Sequence, residues 1–66
     1  MERQVKVEVN DIVVLNQDVE VTPCIIIEEG TIGKVLDETF PYYFEVRFFE
    51  NKIYWVDGKY LDVILN

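Results

Sequence analysis

The stretch Tyr42-Tyr43-Phe44-Glu45-Val46-Arg47-Phe48-Phe49, followed by Glu50-Asn51-Lys52 and then Ile53-Tyr54-Trp55-Val56, decides the fold. β-Branched and aromatic side chains fill both arms, and these fit a pleated surface better than a helix. Asn51 stands between the arms, and asparagine tolerates the left-handed conformation that a hairpin turn demands. The stretch reads as a strand over 42–49, the longest in the chain, then a tight reversal and a paired strand over 53–56. Successive side chains on a strand point to opposite faces. The first arm therefore divides into Tyr42, Phe44, Val46 and Phe48 on one side and Tyr43, Glu45, Arg47 and Phe49 on the other. The first set is free of charge and is the expected core face.

The same reasoning extends in both directions from this hairpin. Upstream, Val5, Val7 and Val9 alternate with polar residues, which predicts a half-buried strand over Gln4–Val9. Asn10-Asp11 reads as a turn, and Ile12 to Leu15 as a strand buried on both faces. Asn16 to Pro23 reads as a polar, acidic loop, because Pro23 cannot donate to a ladder. Ile25 to Ile27 returns to the core, Glu28-Glu29-Gly30 turns, and Thr31 to Asp37 is a further strand. Gly33 within that strand marks a bulge or a close backbone approach. Phe40-Pro41 breaks the ladder. Downstream, Asp57-Gly58 is a second turn signal, and Lys59-Tyr60-Leu61 predicts a single helical turn before Val63-Ile64-Leu65.

Val, Ile and Thr account for 21 of the 66 residues, Ala is absent, and no stretch carries a sustained helical apolar stripe. The expectation is an all-β chain of five to six short antiparallel strands closing into a small barrel, with one 3-10 turn before the last strand. A length of 66 residues allows one domain, 1–66, with a core over about 11–65 and little volume for an enclosed active site.

Composition excludes several classes of chemistry. The chain has no His, no Ser and a single cysteine, Cys24, so neither a disulfide within the chain nor a Cys/His zinc site can be built. Serine–histidine and cysteine–histidine catalysis lack their parts. Cys24 precedes three isoleucines and reads as a small buried hydrophobe. The first residues show no apolar signal region, and a lone cysteine suits a reducing compartment, so a cytoplasmic location is expected. Thirteen acids against six bases give a net charge of −7, the wrong sign for direct binding to phosphates or anionic membranes. No cofactor and no catalytic residue is expected.

The order of elements resembles the SH3-like small barrels. The resemblance rests on Asp11-Ile12-Val13-Val14-Leu15, Gly30-Thr31-Ile32-Gly33-Lys34-Val35, Tyr43-Phe44-Glu45-Val46-Arg47-Phe48, and a turn before Val63-Ile64. KOW-type domains, the small barrel-shaped proteins of photosystem I and small phage or bacterial proteins share this pattern. It covers about residues 11–65 and describes a barrel, not a task. The "ALYDY" motif of signalling SH3 domains is missing.

Two sets of residues could carry binding. Nine aromatic side chains exceed what so small a core can hide, so part of Tyr43, Phe49, Tyr54 and Trp55 is expected at the surface as a protein-binding patch. Asp18 and Glu20 would supply an orienting acidic rim. The same aromatics could instead plug the barrel ends or pair across strands. Alternatively, Glu28, Glu29, Asp37, Glu38, Glu45 and Glu50 could form an anionic face. Such a face, in a small inhibitor of the phage or mobile-element type, would occupy a protein that normally handles nucleic acid. A third class is an accessory component of a larger complex. In each case the partner is a protein, and the chain itself is a monomer or a weak homodimer.

Overall fold

The computed structural model describes residues 6–65. Seven strands follow in order: β1 (Ile12–Leu15), β2 (Val19–Thr22), β3 (Ile25–Ile27), β4 (Ile32–Thr39), β5 (Tyr43–Arg47), β6 (Ile53–Asp57) and β7 (Leu61–Leu65). Two 3-10 turns, Phe49–Asn51 and Gly58–Tyr60, stand before β6 and β7. Five strands form one antiparallel sheet in the order β6-β5-β4-β1-β7, and β2 and β3 form a separate hairpin. β2 lies against β6, so the hairpin curls back toward the free edge of the sheet and gives the molecule its barrel-like section.

The core follows from the alternation along each strand. Val13 and Leu15 of β1, Val35 of β4, Phe44 and Val46 of β5, Val56 of β6 and Leu61 of β7 all point inward and are buried. Val19 and Ile27 close the core from the hairpin, and Phe48 closes it from beyond β5. The expected inner face of the deciding strand is thus present, with Tyr42 packed edge-on against Phe44 at a ring separation of 4.9 Å. The reversal at Glu50-Asn51 is also present. Both residues take left-handed conformations, at φ 56° and 58°, and the Lys52 N–H donates to the Phe49 carbonyl at 3.1 Å. The Asp57 carboxylate accepts from the Lys59 N–H at 3.0 Å and starts the helical turn before the last strand.

Several expectations are corrected. The longest strand is β4, with 8 residues, whereas β5 has 5, because Tyr42 is drawn into the preceding turn and Phe49 into the 3-10 turn. β1 is buried on one face only, as Ile12 and Val14 are half-buried on the other. The segment 19–22 is a strand and not a loop: Val19 pairs with Ile27 and Glu20 with Ile26, with Pro23 and Cys24 at the hairpin tip. Cys24 is exposed there, so it is no core residue.

The proposed strand Gln4–Val9 is not a strand over its described part, residues 6–9, while Gln4 and Val5 lie outside the described residues. Side chains replace the ladder: the Val7 N–H donates to the Tyr42 hydroxyl at 3.2 Å, and the Glu8 N–H to the Asp11 carboxylate at 2.8 Å. Val7 is still buried. At Gly33 the close approach is real, while the register shift lies further on, between Val35 and Asp37.

Candidate functional site

The inner face of the five-stranded sheet is filled, and its outer face has no covering layer among the described residues. Register places the outer side chains of β4, β5 and β6 in three rows. Lys34, Arg47 and Ile53 form the first; Asp37, Glu45 and Trp55 the second; Thr39, Tyr43 and Asp57 the third. Ile32, paired with Val14 of β1, extends the face beyond the first row. The large apolar members stay in water: Ile32 is 55% exposed, Trp55 48%, Ile53 46% and Tyr43 41%. A tryptophan held half-open beside an isoleucine on the same strand is apolar surface that the fold leaves unburied.

Of the four aromatics expected in one patch, the structure brings two onto this face, Tyr43 and Trp55. Phe49 sits at the adjoining 3-10 turn and is exposed, at 56%. Tyr54 belongs elsewhere: it stands opposite Val46, an inward residue, and packs half-buried against the core. The reason is parity. Trp55 opposes the outward Glu45, so its neighbour Tyr54 must turn inward. Ile53 takes its place on the outer face and is a member that sequence reasoning missed. Its spacing of two from Trp55 was the available signal.

Asp18 and Glu20 lie on the hairpin side. The Asp18 carboxylate accepts the Glu29 N–H at 2.8 Å, so it braces the entry to β4 and is only partly free to meet a partner. Glu20 is exposed on β2, the strand against β6, and borders the outer face from that edge.

The acids of the alternative reading do not share one face. Glu28 and Glu29 precede β4, and Glu50 follows β5; antiparallel pairing puts these at the same end. Asp37 and Glu38 occupy the far part of β4, and Glu45 stands opposite Asp37. Lys34 and Arg47 separate the two groups.

Among the described residues no group of three or more acidic or cysteine side chains is placed to hold a metal ion. Asp11 is a buried carboxylate, but its oxygen is occupied by the Glu8 N–H. No buried side-chain polar atom among the described residues lacks a hydrogen-bond partner. No helix among them is long and apolar enough to cross a membrane. Compared with known proteins, the chain matches no family model, no curated protein and no solved structure.

Proposed function

We propose that this chain is a non-catalytic protein-binding module, an SH3-like barrel whose contact face is the outer surface of β4, β5 and β6. The observation that carries the reading is the exposure of Trp55, Ile53 and Tyr43 together on two paired strands. Large side chains of this kind, rimmed by charge, are what dominate binding energy at protein interfaces. Lys34, Arg47, Asp37, Glu45 and Asp57 form that rim. The barrel resemblance draws support from the single five-stranded antiparallel sheet, the hairpin curling against β6 and the 3-10 turn before the last strand. We place the module in the cytoplasm, where the free thiol of Cys24 stays reduced.

The test is capture of partners from host lysate by the tagged chain and by its Trp55→Ala and Tyr43→Ala variants, at low and high salt. Truncating a central aromatic anchor costs ~2 kcal/mol or more of binding, about a thirtyfold loss of affinity. The two variants lose the partner while their melting temperatures stay close to that of the parent. Partner retained by both variants overturns the reading, and so does loss that merely accompanies unfolding. A nucleic-acid-handling partner released by salt and by Glu28→Lys, but not by Trp55→Ala, would select the acidic inhibitor instead.

A further inference from the structure

We propose that one partner of the outer face is a second copy of this chain, docked face to face about a two-fold axis. The proposal rests on the reading of that face as a protein-binding surface and names what it binds.

The argument comes from the order of charge in the rows. Across β4 and β5, Lys34 stands directly opposite Arg47, and Asp37 directly opposite Glu45. Each is a like-charge cross-strand pair, an arrangement that destabilises a sheet standing alone. Both pairs sit on one face in neighbouring rows, with a register shift between Val35 and Asp37 separating them on β4. A positive row beside a negative row is self-complementary under one operation. A two-fold axis lying in the plane of the face, across the strands and between the two rows, exchanges the rows between copies.

Under that operation each residue meets the one in the neighbouring row of the same strand. Lys34 faces Asp37 of the second copy, and Arg47 faces Glu45 of the second copy. On β6 the same axis sets Ile53 against Trp55 of the second copy, so the exposed apolar pair covers itself. Every contact occurs twice, as an isologous interface requires. The strands of the two copies run nearly in line, which is the aligned class of sheet packing, at a face-to-face spacing of ~10 Å. Each like-charge pair then lies against opposite charge. A patch of three strands by two or three rows is smaller than the ~800 Å² per partner of a standard stable complex, so the dimer is weak and reversible.

Charge exchange tests this directly. Arg47→Glu and Glu45→Arg each place like charge against like charge in their own homodimer. Mixed together, they form a heterodimer with four attractive charges at the two β5 contacts. Arg47 is exposed and Glu45 half-buried on the outer face, so both variants keep the core, and circular dichroism verifies the fold. Sedimentation equilibrium from about 10 µM to about 1 mM reads association. The parent associates toward a dimer, each variant alone loses at least about tenfold in association constant, and the mixture recovers it. A parent that remains monomeric throughout overturns the proposal, and so does a parent dimer indifferent to both changes or a mixture that fails to associate. None of those results touches capture of another protein by Trp55, which is read separately with the Trp55→Ala variant.

Discussion

Substituting Gly33 with alanine tests how closely β4 approaches the strand beside it. Gly33 is buried opposite Val13, and a Cβ built there would lie 2.6 Å from Val46 Cγ1, 2.9 Å from the Arg47 carbonyl oxygen and 3.0 Å from Phe48 Cδ1. Carbon atoms in favourable contact sit ~3.5–4.0 Å apart, so the valine methyl is about 1 Å too near. Val46 is fully buried and has little room to rotate away, and the Arg47 oxygen belongs to the backbone of the paired strand. The strands themselves must part.

Overpacking of this kind costs about 1–3 kcal/mol. Against it stands a gain of about 0.4–1 kcal/mol, because alanine restricts the unfolded chain more than glycine does. That gain applies in full, since Gly33 does not require a left-handed backbone. Three contacts at or below 3.0 Å, one of them to backbone, put the clash at about 2–3 kcal/mol, so the net is a loss of about 1–2.6 kcal/mol, or about 5–20 °C in melting temperature for a domain of this size. Thermal and urea unfolding followed by circular dichroism measure it, with the urea midpoint falling at unchanged slope. Val46→Ala in the same chain removes one of the three clashes, so the double variant should lose less than the sum of the singles. A Gly33→Ala protein as stable as its parent, or more so, would refute the close approach.

Other consequences are simpler. Phe44→Ala empties the centre of the core and should cost about 3–5 kcal/mol, enough to leave much of so small a domain unfolded at room temperature, as circular dichroism would record. Asp11→Ala orphans the Glu8 N–H beside the core and should lower stability by about 1–2 kcal/mol in urea unfolding. Cys24 at the hairpin tip should react with a thiol reagent in the folded protein, without unfolding, and Cys24→Ser should shift stability by less than about 0.5 kcal/mol.

The sequence made the β5–β6 hairpin legible because its signals agreed: a clean alternation from Tyr42 to Phe48, and an asparagine where the chain needs φ of 58°. The helical turn after Asp57 was equally plain. Other features were hidden for identifiable reasons. Ile53-Tyr54-Trp55-Val56 is apolar at every position, so it carries no alternation, and only the pairing of Val46 with Tyr54 decides which aromatic faces out. Asp18, Glu20 and Pro23 disguise β2, although Val19, Val21 and Thr22 are β-branched and suit the pairing with β3. Cys24 sits beside an isoleucine run of which Ile27 alone is buried, because Ile26 points to the opposite face and Ile25, although on the side of Ile27, stands next to the exposed hairpin tip. The rows of like charge could not be read at all without register, since Lys34 and Arg47 are 13 positions apart in sequence.

The contact face itself is best tested through Trp55, the chain's single tryptophan. The chain is produced with 5-fluorotryptophan, and its one fluorine resonance is followed by NMR as a captured partner is added. If the outer face is the contact surface, the resonance moves in step with complex formation and loses its sensitivity to exchange of water for heavy water, as the indole leaves solvent. If the complex forms while the resonance keeps its position and its solvent sensitivity, the face is free in the complex and the account is wrong.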